Sequence, residues 1–189
     1  MTTRRSARRA IFASGACWLA AAAPIGAQTV PTTITTDGTF GPATTITDGL
    51  DGAIDRVFTI EESMGSRPGG GANLFHSLGR FDVGAGDTAR FRSSAGVDRI
   101  IARITGGDPS DVFGRIQSTD TNADLLLLNH SGFVFGAGSS LDVGGSVTLA
   151  TADSLRMLPG DTRGTLTFSG DMALATASPE AFGFLGTPV

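Results

Sequence analysis

The chain has no lysine and no tyrosine, and its one cysteine (Cys17) and one tryptophan (Trp18) both lie within the first 27 residues. A single cysteine excludes an internal disulfide. Beyond residue 27 there is neither a thiol for catalysis nor a thiolate to ligate zinc. The glycine clusters Gly69-Gly70-Gly71 and Gly106-Gly107 are not phosphate loops, because the Gly-x-x-x-x-Gly-Lys-Ser/Thr pattern needs a lysine that the chain does not have. Basic residues are also scarce where they would matter for nucleic acid. All 14 are arginine, four of them in the first nine residues, so residues 28–189 carry 10 Arg against 18 Asp and Glu, a net charge of −8. A sequence-independent nucleic-acid surface needs the opposite sign, and no nucleic-acid partner is expected. Nothing after residue 27 comes near 18 consecutive apolar residues, so no membrane helix is expected there.

The leading segment reads as an address. Arg4, Arg5, Arg8 and Arg9 form a basic start, and residues 10–23 form an apolar run that is too short for a comfortable span. Pro24 breaks the run and Ile25-Gly26-Ala27 ends it on a small residue. Signal cleavage is therefore expected between Ala27 and Gln28, with 1–27 the signal peptide and 28–189 the mature domain. Arg8-Arg9 is similar to the pair of a twin-arginine export signal, but the flanking pattern is incomplete. Ser14-Gly15-Ala16-Cys17 sits ahead of most of the apolar run and lacks the leucine of a lipoprotein box, so Cys17 reads as one more apolar signal-peptide residue.

After the leader, helical periodicity is almost absent. Strand-like pieces are expected at residues 32–36, 44–47 and 56–60, followed by a glycine-rich loop over 61–72. A regular beat then runs through 89–92, 100–104, 112–116, 125–128, 133–135, 141–143, 147–150, 155–157 and 166–168, with Gly, Asp, Asn or Ser in most gaps. An antiparallel sandwich and a parallel β-solenoid both produce such a beat. Short strands, few Asn-Gly hairpin signals and the aliphatic stack Leu125 to Leu128 favour the solenoid, with that stack filling its interior. Phenylalanine, 12 in the chain, has no polar tip and belongs in the core or its caps.

His76 and His130 are the only histidines, too far apart for a His-x-x-x-His ligand pair, and both are expected at exposed or turn positions. Parallel β-helices can host acid-based polysaccharide chemistry, for which Asp98, Asp108, Asp111, Asp120, Asp124 and Asp142, with Arg99, Arg103 and Arg115, are the candidate set. Most of these acids neighbour Gly, Pro, Ser or Asn, where a carboxylate bonds its own turn, and no enzyme is expected. Neither a nonapeptide Gly-Gly-x-Gly-x-Asp repeat nor an EF-hand loop is present; the surplus acid reads as a solubility device, with no metal and no cofactor.

One set of segments carries a resemblance. These are Asn73-Leu74-Phe75-His76-Ser77-Leu78 with Phe81, Arg99 to Ser110, Gly114 to Ser118, Ala123 to Asn129, Gly132 to Gly136 and Leu141 to Ser146. In this order and at this spacing, residues 41–155 resemble the amino-terminal secretion domain of filamentous haemagglutinin-type exoproteins, the adhesin-like passengers of two-partner secretion. The resemblance implies an all-β, right-handed parallel β-helix with N-terminal capping strands. It implies recognition by a partner outer-membrane transporter with periplasmic binding domains, and a secreted or cell-surface destination. On matching positions, Asn73, Leu74 and Phe75 correspond to the family's Asn-Leu-Phe stretch. Asn129 and Gly132 bound its Asn-Pro-Asn-Gly turn, which here reads Asn129-His130-Ser131-Gly132. Asn at the start and Gly at the end still supply the side-chain bond and the permissive backbone that such a turn needs. Passengers of this family continue into long repeats, so 28–189 is expected to be the secretion domain without the downstream repeat region. A short module binding a host cell or surface carbohydrate is the alternative.

Overall fold

The computed structural model describes residues 30–50, 56–118, 120, 122–152, 154–158, 164–167 and 178–183; the leader, with Ala27 and Gln28, lies outside them. The strands in chain order are β1 (Thr33–Thr36), β2 (Asp48–Leu50), β3 (Arg56–Ile60), β4 (Asn73–Asp82), β5 (Thr88–Phe91), β6 (Arg99–Ile104), β7 (Ser110–Val112) and β8 (Arg115–Ser118). They continue as β9 (Asp124–Asn129), β10 (Phe133–Phe135), β11 (Ser140–Val143), β12 (Val147–Ala150), β13 (Ser154–Leu158), β14 (Gly164–Thr167) and β15 (Ser178–Gly183). Two 3-10 turns, Glu62–Met64 and Pro68–Gly70, are the only helical pieces among the described residues.

Chain order and sheet order together define a coil. The first sheet runs β1-β4-β6-β9-β12, a second runs β11-β8-β5-β3-β2, and β7 pairs with β10 in a third. From β4 to β12, from β3 to β11 and from β7 to β10 every pairing is parallel. The chain therefore visits each sheet once per turn, making a β-solenoid of about three turns. Antiparallel β1 closes its start against β4, and antiparallel β2 closes it against β3. The expected parallel β-helix with capping strands is the observed architecture.

Register explains the core. Leu74, Ile100, Leu125 and Val147 stack on consecutive coils, as do His76, Ala102, Leu127 and Leu149. Strand alternation sends these inward, and all but Val147 and Leu149 are buried. On the second sheet Phe58, Ala89, Ile116 and Leu141 stack likewise, and the first three belong to the same interior cluster. Truncating Ile116→Val, in the middle coil, is expected to lower the urea midpoint by the equivalent of about 1 kcal/mol at unchanged m.

The alternate residues on the first sheet face outward, yet they are not wet. Phe75, Ile101, Leu126 and Leu128 form a second buried cluster with Leu155 and Met157, against which Phe40 packs. The antiparallel sheet β14-β13-β15 thus has its central strand laid on the outside of the solenoid. This corrects one expectation: Leu125 and Leu127 fill the interior, while Leu126 and Leu128 lie under β13. A strand buried on both faces reads as a continuous apolar run.

Three further expectations change. The stretch 112–116 is two strands, β7 and β8, with a corner at Phe113-Gly114. The stretch 44–47 forms only an isolated bridge, Thr35 with Thr45. The longest strand, β4, falls where no piece was expected, because His76, Ser77, Gly79 and Arg80 interrupt its apolar pattern.

Candidate functional site

The segment singled out by resemblance opens β4, where the cap meets the first full coil. Asn73 is fully buried, and its Oδ1 accepts a hydrogen bond from Arg99 Nη1 at 3.4 Å. Leu74 points into the tube and Phe75 into the outer cluster, both 1% exposed or less. The backbone is equally engaged. Residues 73–78 pair with β6 on one side, while on the other Phe75 and Ser66 exchange reciprocal N–H to C=O bonds of 2.9 and 2.8 Å. In the folded domain, then, neither the side chains nor the strand edges of Asn73, Leu74 and Phe75 are free.

Two carboxylates, Asp87 buried and Asp37 partly so, fasten the cap to this strand. Asp87, in the turn before β5, accepts a paired hydrogen bond from the Arg56 guanidinium at 3.0 and 2.6 Å and another from the Thr32 hydroxyl. Thr32 Oγ1 in turn accepts from Gly84 N at 2.8 Å. One acid thereby joins the residue before β1, the start of β3 and the first corner. Bidentate pairing to arginine is among the stronger polar contacts that a chain without lysine can make. Asp37, just after β1, accepts from Ser77 Oγ at 2.6 Å, Thr105 Oγ1 at 3.0 Å and Thr39 N at 2.9 Å, with Arg103 Nη2 at 4.0 Å. Burial works to raise its carboxyl, but the hydroxyl and amide donors outweigh that and hold it below its ordinary value. Arg103 is itself buried, its Nε donating to Ser77 Oγ at 2.8 Å, and desolvation pulls its guanidinium down against the pull of Asp37.

The loop over 61–72 is built rather than loose. Arg67 Nε donates to Gly71 O at 2.6 Å, and its Nη1 to Ser94 Oγ at 2.9 Å and to Glu62 Oε1 at 3.4 Å. Glu62 Oε2 accepts from Ser94 N at 2.7 Å, and Ser94 above all holds this carboxyl below its ordinary range. Beneath the loop lies His76. Contrary to the expectation of an exposed or turn histidine, it is 1% exposed, because alternation in β4 turns 74, 76 and 78 into the tube. Burial pushes its pKa down to about 4, against a smaller upward pull from Glu62. His130 is exposed in a turn, as expected, with Nε2 3.3 Å from Ser131 Oγ.

The second segment closes the second coil. Asn129, the last residue of β9, is fully buried: its Nδ2 donates to Asp108 O and to Ser110 Oγ, each at 3.0 Å, and its Oδ1 accepts from Ser131 N at 3.0 Å. Gly132 N donates to Asn129 O at 2.9 Å with Gly132 at φ +98°. The turn therefore closes without the proline and second asparagine of the family pattern, through the side-chain bond and the left-handed glycine. Asn73 and Asn129 lie in different strands of the same sheet, at opposite ends of its parallel ladder, and nothing brings them together.

The candidate catalytic acids are dispersed along the coils. Asp108 pairs with Arg80, Asp120 with Arg92, Asp142 accepts from Gln117, and Asp124 accepts from Ser146 N. Asp111, Asp124 and Asp142 lie within strands rather than turns. Among the described residues no three His, Cys, Asp or Glu side chains gather as a metal site, and no helix is long and apolar enough to cross a membrane. Asp87, Asp37 and Arg67, which hold the cap and its loop, carry no motif in the sequence; each stands beside glycine, proline or threonine in what reads as an ordinary turn.

Comparison with curated proteins and with solved structures returned no match. The β13 to β15 sheet, beyond the segments that carried the resemblance, is covered by the family comparison as well: the model of the TPS secretion domain matches residues 43–188, from the cap through the outer sheet, and the chain belongs to that family, the secretion domains of two-partner secretion exoproteins.

Proposed function

We propose that residues 28–189 act, after removal of 1–27, as the export label of an adhesin-like exoprotein, read in the periplasm by the binding domains of a partner outer-membrane transporter before the coil closes. Membership of the secretion-domain family supports a secreted, structural role. The observation that carries the timing is burial. Asn73, Leu74, Phe75 and Asn129 are all 1% exposed or less, so a transporter that uses them must meet the chain while it is extended. Two features support this order. No disulfide can lock the mature chain before export. Each coil, moreover, finds a template in the one before it, so folding can proceed from the cap as the chain emerges.

The test is expression with and without the transporter, followed by assay of the medium. Secretion only in its presence is the expected outcome; equal secretion without it overturns the reading. Asn73→Ala, Phe75→Leu and Asn129→Ala refine it, with each purified variant refolded and its circular dichroism recorded alongside. Export reduced by about tenfold or more in a variant that still refolds marks a residue read by the transporter rather than one needed only for the fold.

A further inference from the structure

The loop over 61–72 occupies a strand position without being a strand. Ser66 fills, by two backbone hydrogen bonds, the place beside Phe75 that a further antiparallel strand would take. The rest of the hold is mostly polar: Arg67 to Gly71, Ser94 and Glu62, Ser94 N to Glu62, and Asp98 N and Arg99 N to Ala72 O, with Met64 the one apolar contact with the interior cluster. The seat of the loop is His76. A Cβ on Gly65 would stand 2.9 Å from the ring's Cε1 and Nδ1, so loop and ring are in direct contact. The ring lies edge-on to Phe91 at 5.8 Å, and neither of its nitrogens has a hydrogen-bond partner.

A neutral imidazole tolerates that setting. A protonated one carries a charge and two N–H donors with nowhere to place them. Of the elements packed on the ring, β5 presents Phe91 and β6 presents Ala102, neither titratable; the loop presents Glu62, which is held by Ser94 and Arg67. Relief through the parallel ladder would cost the whole solenoid. Relief through the loop costs one bridge, the partial burial of Met64 and a few polar bonds, far less than the ladder.

We propose that the 61–72 loop is an acid-released latch seated on His76, which on protonation lifts from β4 and breaks the Ser66–Phe75 pairing. The latch belongs to the closed coil and does not rest on the reading above.

The experiment is amide hydrogen exchange on the refolded domain between pH 7 and pH 4, corrected for intrinsic rates. Protection at Ser66 and Phe75 is expected to fall about tenfold or more toward pH 4, while Leu127 in the second full coil keeps its protection. The His76→Leu variant keeps Glu62 but loses the response. A drop that persists in His76→Leu assigns the effect to Glu62 and overturns the proposal, as does a flat profile or a parallel loss at Leu127. Should His76→Leu fail to fold, ring titration of the unmodified domain by NMR decides: a midpoint near 4 that coincides with the loss of protection supports the latch, and a midpoint near 6.5 overturns it. A failed export assay leaves this result untouched, and a flat exchange profile leaves the export assay untouched.

Discussion

Alanine in place of Gly114 is expected to leave the domain unable to complete its second coil. Gly114 turns the chain from β7 into β8, and there the corner nests on the one below: Phe113 N and Gly114 N both donate to Val83 O, and Arg115 N donates to Asp87 O. A Cβ at Gly114 would stand 2.9 Å from Val83 Cγ1 and closer still to the backbone oxygens of Gly84 and Asp87. Backbone on both sides cannot yield as a flexible side chain would, so the corner must lift. The ladder from β5 to β8 and the Asp87 anchor lift with it. The cost is more than about 4 kcal/mol, a large share of the 5–15 kcal/mol that holds a typical domain. Circular dichroism and urea unfolding check it. The matched control is Gly41→Ala, which meets nothing within 4 Å and is expected to change stability by less than about 0.5 kcal/mol.

An acid placed on the outer face of the first sheet should strip off the three-stranded flap. Ile101 is 1% exposed, between Phe75 and Leu126 on neighbouring coils and in the cluster that includes Leu155 and Met157. Ile101→Asp would bury a carboxylate in an apolar layer. Of the arginines on that face, Arg103 is already committed to Ser77 and Thr39. The expected loss is about 4 kcal/mol of docking energy, enough to release β13. Limited proteolysis should then cut between Ala150 and Leu155 while the core from β3 to β9 stays protected. A variant that resists cleavage as the parent does would show that β13 is held by its own sheet and not by this cluster.

Much of this architecture can be read in the residues, and the misses have definite causes. Short β-branched and aliphatic pieces separated by Gly, Asp and Asn point to a solenoid, and β3, β10 and β12 begin and end where the pattern says they should. The pattern fails at β4, whose polar members are buried by the cap: Ser77 by Asp37 and Arg103, His76 by the loop above it. It fails also at β15, which carries Pro179. Being an edge strand, β15 can spare the missing donor, and the register shifts at that point. The residues proposed for recognition are legible only through their resemblance in order and spacing, since Asn73 and Asn129 look like turn formers alone.

What the sequence determined by itself is the class of structure and the limits of its chemistry: all-β by its strand beat, free of internal disulfides and of lysine chemistry by composition. Those properties depend on residue type and near-neighbour pattern, which are local. Which side chains are available was decided only by tertiary structure. Stacking one coil on another divides Leu125 to Leu128 between two cores, draws His76 inside, and closes both edges of the segment that resembles the family's signature. Burial of this kind depends on contacts between residues one coil apart, and no local pattern encodes that distance.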